Sequence, residues 1–99
     1  MLAVKVHRSY RVVVGMCDLE LVGKKFEEGK RQLDLRASFY KDKEVDFAEA
    51  VELLKRQALE DATYNIVGKE AVKAAIEAGV ITSEAFDNIA GIPFALTLL

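Results

Sequence analysis

Leu2-Ala3-Val4-Lys5-Val6-His7-Arg8-Ser9-Tyr10-Arg11-Val12-Val13-Val14-Gly15-Met16-Cys17 is the stretch from which the fold is read. It holds two Val-rich runs, Leu2–Arg8 and Arg11–Cys17, and β-branched side chains favour extended backbone. Ser9-Tyr10 interrupts them, so the pair reads as a β-hairpin. Ser-Tyr is a poor type I′ turn, which predicts a loop longer than two residues. If Arg8 pairs with Arg11, His7 faces Val12, and Cys17, five positions further on, projects from the opposite face of the sheet.

Working outward, Asp18–Gly23 reads as a helical turn or loop that Gly23 stops, and Phe26–Gly29 as a connection. Arg31–Arg36 alternates, with Leu33 and Leu35 on one face, as a half-buried strand does. Lys41-Asp42-Lys43 reads as a polar turn. Asp46 followed three residues later by Glu49 has the form of a capping box. Phe47, Ala50, Val51, Leu54 and Ala58 then recur at helical spacing, predicting a helix to about Tyr64 with a Glu52–Arg56 pair on its outer side. A second helix is expected over Lys69–Ala78, started by Gly68, with Ala71, Val72, Ala75 and Ile76 inward. Gly79 and Val80 supply its closing motif. Thr82 or Ser83 can cap a short helix through Asp87. Pro93 cannot donate to a ladder, so Ile92–Leu98 is expected at a sheet edge. The sum is one α+β domain over residues 1–99. Its small mixed or antiparallel sheet of about four strands comprises the N-terminal hairpin, a third strand and the C-terminal edge strand, and two or three helices cover one face.

Composition agrees with a globular chain: 99 residues, 52% apolar and 30% charged. A domain of this length buries roughly 60–70% of the surface of its unfolded form. Cys17 is the single cysteine, so no disulfide closes within the chain. Lys5 and Arg8 interrupt any apolar signal region, and Ile92–Leu99 is too short to span a bilayer. A cytoplasmic protein without a membrane partner is expected. The net charge of −2 is unevenly spread: residues 1–43 carry ten Lys/Arg against six Asp/Glu, and residues 44–99 carry four against ten. Such asymmetry marks either a basic binding face or two halves that attract each other.

Conventional catalytic sets are missing. His7 and Cys17 are one of each kind, too few for a zinc site. On the hairpin register above they point to opposite faces. A one-residue shift would put them on one face, yet still at least about 13 Å apart at roughly 3.3 Å per residue. Asp18, Glu20, Glu60 and Asp61 offer carboxylates, but no apolar surround that would split their pKa values. Gly23-Lys24-Lys25-Phe26-Glu27-Glu28-Gly29-Lys30 imitates a Walker A loop, with one residue too many between its glycines and no Ser or Thr after the final lysine. Gly68-Lys69 opens a helix whose N–H groups could meet an anion, as any helix start does. The reading is therefore no catalytic residue, no metal and no cofactor. Basic residues remain the suggestive feature. Arg8, Tyr10 and Arg11 sit at the hairpin tip, with Lys24, Lys25, Lys30 and Arg31 following in sequence and Arg36 beyond. An Arg-Ser-Tyr-Arg tip can contact phosphates and stack a base, so the seven other than Arg36 are the candidate RNA-binding residues.

The run Cys17-Asp18-Leu19-Glu20-Leu21-Val22-Gly23-Lys24-Lys25-Phe26-Glu27-Glu28-Gly29-Lys30 resembles the signature of a small archaeal family, domain of unknown function 424. Phe39-Tyr40, the run from Ala62 through Asn65-Ile66-Val67-Gly68, Ala75-Ile76-Glu77-Ala78-Gly79 and Gly91-Ile92-Pro93 extend the resemblance over nearly the whole chain. It implies a stand-alone protein of about this size and brings no assigned activity, cofactor or catalytic residue. The family pattern places His and then Ala-Gln after Gly-x-Pro, where this chain has Phe94-Ala95-Leu96. A site built on that histidine would be lacking here.

The expected function is a non-catalytic binding or assembly module associated with RNA or a ribonucleoprotein. The alternatives are a protein–protein module or homodimer joined through Ile92–Leu99, and a small enzyme using Cys17, Asp18 or Lys24.

Overall fold

The computed structural model describes residues 1–97. The chain runs β1 (Leu2–Arg8), β2 (Val12–Asp18), a 3-10 turn (Leu19–Leu21), β3 (Lys25–Glu28), β4 (Arg31–Asp34) and α1 (Ala37–Tyr40). It continues through β5 (Lys43–Val45), α2 (Phe47–Ala58), β6 (Thr63–Val67), α3 (Lys69–Glu77), β7 (Asp87–Ile89) and β8 (Ile92–Thr97). The α+β class and the mixed sheet stand. The main sheet has six strands rather than four, in the order β5-β1-β2-β6-β8-β7, and β3-β4 forms a separate two-stranded hairpin. All neighbours are antiparallel except β2 and β6, which are parallel.

The extra strands are short or disguised. Phe26–Gly29, expected as a connection, pairs with the third strand: Phe26 lies opposite Leu33. Lys43, expected in a turn, opens β5. The capped helix begins as expected, with the Glu49 amide donating to Asp46 Oδ1 at 2.8 Å, but it ends at Ala58 rather than near Tyr64. Residues beyond it become β6 because Tyr64 and Ile66 turn toward the helices while Thr63 and Val67 alternate to the other side. In place of the expected Glu52–Arg56 pair, Glu52 meets Lys55 at 3.8 Å. No helix forms between Thr82 and Asp87; that segment is turns leading into β7.

The C-terminal strand also departs from expectation. β8 lies between β6 and β7 rather than at an edge, and Leu98 falls outside the described residues. Pro93 is tolerated there because its ladder position is already past the end of β6. Its carbonyl accepts the Gly68 amide at 2.8 Å, and the Gly68 carbonyl that an N–H would have met is taken by Val72 at 2.9 Å.

Two apolar clusters sandwich the sheet. Leu2, Val4, Val14, Met16 and Ile66 pack beneath α2 and α3, against Leu53, Leu54, Ala71, Ala74 and Ala75. The three alanines present almost no bulk, which lets α3 lie close to the sheet. The opposite face is covered too, contrary to the one-sided expectation: Cys17, Leu35, Tyr40 and Val67 gather there with Phe26, Leu33 and Phe39 from β3, β4 and α1. Each Leu, Ile, Val or Met side chain buried in these clusters contributes about 1.5–3 kcal/mol.

Candidate functional site

The first place where chemistry-bearing residues converge is the end of β2. Cys17 and Asp18 close that strand, and Gly68 links the adjacent parallel strand β6 to α3. Helix N-termini at the ends of parallel strands are common anion sites. Here the position is filled from within. Asp18, 4% exposed, accepts the Ala71 amide at 2.8 Å and the Glu70 amide at 3.2 Å, capping α3 from 53 and 52 residues away. Gly68 makes room for it: at φ +109, a Cβ there would stand 2.4 Å from the Asp18 carboxyl carbon. Burial pushes the Asp18 carboxyl above its ordinary range, against the pull of those two amides.

Cys17 is fully buried, and burial, with the charges of Asp18 and Glu20 behind it, pushes its thiol up to about 12. A thiol held protonated is a poor nucleophile. Its Sγ donates to the Asp18 carbonyl at 3.2 Å. His7 lies elsewhere. The hairpin loop holds three residues, Ser9-Tyr10-Arg11, so Arg8 pairs with Val12 and His7 with Val13. This one-residue shift places His7 and Cys17 on the same face, correcting the opposite-face expectation, but four ladder positions apart, about 13 Å. Gly15 stands between them, and Phe39 fills the gap: a Cβ on Gly15 would meet the Phe39 carbonyl at 2.7 Å. His7 stacks on the Phe39 ring at 4.4 Å, and its Nε2 lies 2.8 Å from the Phe39 carbonyl. The two reactive groups are thus separated by an aromatic ring, each engaged with its own neighbours. Among the described residues no group of three or more His, Cys, Asp or Glu is placed to hold a metal ion.

The seven candidate RNA-binding residues are divided between two hairpins. Arg8, Tyr10 and Arg11 occupy the β1–β2 tip, where Tyr10 is 97% exposed. Arg8 reaches Glu60 at 2.9 Å, and the hollow beside the tip is lined by Glu60 and Asp61 as well as Tyr10 and Arg11. Lys30 and Arg31 occupy the β3–β4 tip, where Arg31 bonds Asp87 at 2.8 Å and lies 5.7 Å from the centre of the Phe94 ring. That side chain pulls the Asp87 carboxyl below its ordinary range, second to the Asn88 amide. Lys24 and Lys25 stand at the other end of β3, with Lys25 near Glu27 at 3.6 Å. Phe94 pairs with Val67, which pairs with Cys17, so the Arg31 site is two strands across and five residues along from Val12. The two tips are on the order of 20 Å apart. Arg36 is tied to Asp34 at 3.0 Å.

A surface that sequence reading missed lies on α3 and the β7 edge. Lys69, Val72, Lys73, Ile76, Phe86 and Pro93 line an apolar groove of about 280 Å³. Phe86 also lines a second hollow with Arg31, Phe94 and Leu96. Leu96 is 62% exposed, on a part of β8 that β7 does not reach, since β7 pairs only with Ile92–Phe94. The signal in the sequence was the Lys69/Lys73 spacing, which puts both on one side of a helix. Among the described residues no helix is long and apolar enough to cross a membrane.

A family model described as "Protein of unknown function (DUF424)" matches residues 7–98. The crystal structure of an uncharacterized conserved protein from Methanopyrus kandleri is similar over 97% of this chain and 89% of that one, with a TM-score of 0.88 and 20% identity. At that identity the likeness speaks for the fold alone. No curated protein matches the chain.

Proposed function

The chain belongs to the family of unknown function DUF424, and from its surface we propose that it is a non-catalytic binding module of the cytoplasm that contacts RNA within a ribonucleoprotein. The observation that carries this reading is Tyr10, 97% exposed at the tip of a hairpin between Arg8 and Arg11. An aromatic ring gains nothing from water, and one base stacked on such a ring is worth about 1–3 kcal/mol. Arg11, Lys24 and Lys30 have no acidic partner among the described residues. Arg8 and Lys25 are held by exposed ion pairs, and Arg31 by one such pair and the Phe94 ring; exposed pairs contribute little and are exchangeable for phosphate. Glu60 and Asp61 beside the tip oppose nonspecific attraction, so the contact is weak and salt-sensitive. Of the residues of the enzyme reading, Cys17 is taken up by packing and Asp18 by capping α3. Fluorescence anisotropy of labelled single-stranded RNA at two salt concentrations tests the proposal. Binding that weakens with salt and falls about 5- to 100-fold in Tyr10→Ala supports it. Equal titrations for the two proteins contradict it.

A second reading, a homodimer joined through β8, draws on one feature. Among the described residues no strand lies beside the outer edge of Ala95–Thr97, and Leu96 there is exposed. Strand addition from another copy fits such an edge. Light scattering at high concentration separates the two, since a strict monomer removes the dimer.

A further inference from the structure

We infer that the groove on α3 is a docking site for an acidic segment of a protein partner, which seats one bulky apolar side chain between Lys69 and Lys73. The site is independent of the hairpin tip. Its floor is wholly apolar, made by Val72, Ile76, Phe86 and Pro93, and its only charges are the two lysines. A hollow of about 280 Å³ is at the lower limit of small-ligand pockets and suits a single anchor side chain. A base or sugar would find no neutral hydrogen-bonding side chain there, which favours an aliphatic or aromatic anchor of a protein.

The charge at the rim points the same way. Lys69 is the first residue of α3, immediately before the two amides that Asp18 caps. Neither lysine forms an ion pair among the described residues. Lys73 instead sits 5.8 Å from the centre of the Phe47 ring. Carboxylates on the partner pair with Lys69 and Lys73, while the anchor covers the floor. Phe86 also borders the hollow that holds Phe94 and Leu96, where Glu84 and Asp87 stand beside Arg31, so an acidic segment is confined to the groove.

The test is an NMR titration of the 15N-labelled protein with the peptide Gly-Glu-Asp-Phe-Leu-Glu-Asp-Gly. Two controls accompany it: one with Ser-Ser in place of Phe-Leu, the other with Lys in place of every acid. The expected result is saturable shifts of the Val72, Ile76 and Phe86 amides with the first peptide alone. These should weaken at least about tenfold in Lys69→Glu/Lys73→Glu, whose unchanged remaining spectrum reports an intact fold. Tyr10 and Arg11 signals should stay still, so failure here is separable from failure of the RNA reading. No shift at about 1 mM peptide, the weak limit of specific binding, overturns the inference. Equal shifts with both controls overturn it as well. Groove shifts that grow with protein concentration and no peptide assign the site to a second copy, whose exposed Leu59-Glu60-Asp61 has matching chemistry, and likewise overturn it.

Discussion

The carboxylate of Asp18 ends one strand and starts a helix 52 residues further along the chain. Removing it in Asp18→Ala leaves two amides of α3 without an acceptor. A loss of about 1–2 kcal/mol is expected in urea unfolding, with a smaller loss in Asp18→Asn, whose amide oxygen still accepts. The pH dependence has a definite sign. Burial raises the folded pKa above 3.8, so the native state holds its proton more tightly than the unfolded chain. The stability this brings is complete below that value and is lost as pH rises through the folded pKa. The difference between wild type and Asp18→Asn should therefore move in favour of Asn on going from acid to neutral pH; a constant difference would refute the shift. In the sequence Asp18 was legible only as an acid at a strand end. The helix it caps is too distant for any local pattern to connect them. The relation of His7 to Cys17 failed for a smaller reason. One additional loop residue, Arg11, moved the register by one and brought both side chains to the same face.

At the level of elements, strongly periodic segments were readable and short ones were not. β1, β2 and α2 declare themselves by valine alternation and a capped apolar stripe. β7 has three residues and is joined to β8 by Ala90-Gly91, a two-residue turn with φ 52 and 79. Asn-Gly would have announced that hairpin, whereas alanine in a left-handed conformation conceals it. The same fact gives a prediction: Ala90→Asn relieves the strain and should raise stability by about 1 kcal/mol, read from the unfolding midpoint. No gain would mean that the turn relaxes otherwise. β6 was concealed because Ala58, Ala62 and Ile66 prolong the spacing of α2, and only the turn at Asp61, φ 55, breaks it. The β3–β4 hairpin was half seen. Its role as the cover of a second core makes Leu35, fully buried, a sensitive position. Leu35→Ala should cost about 2–5 kcal/mol, a loss that an uncovered sheet face would not produce.

For the whole molecule, the uneven charge along the chain does not become a single basic face. Folding sets Glu60 beside Arg8 and Asp87 beside Arg31, so acids from the second half meet cations from the first. Attraction between the two halves was one of the two readings that the charge asymmetry allowed; the particular pairs, and the approach of Phe86 to the Lys69/Lys73 side of α3, were invisible in sequence because they depend on which distant elements become neighbours. What remains for RNA is a few uncovered cations and an exposed ring, at two tips on the order of 20 Å apart. The salt dependence of affinity for labelled single-stranded RNA probes this most directly, in wild type and in Arg11→Ala. A linear loss of affinity with rising salt is expected, with a slope that becomes shallower by about 0.7 when Arg11 is removed. Affinity insensitive to salt, or an identical slope in the two proteins, would contradict phosphate contact at the hairpin tip.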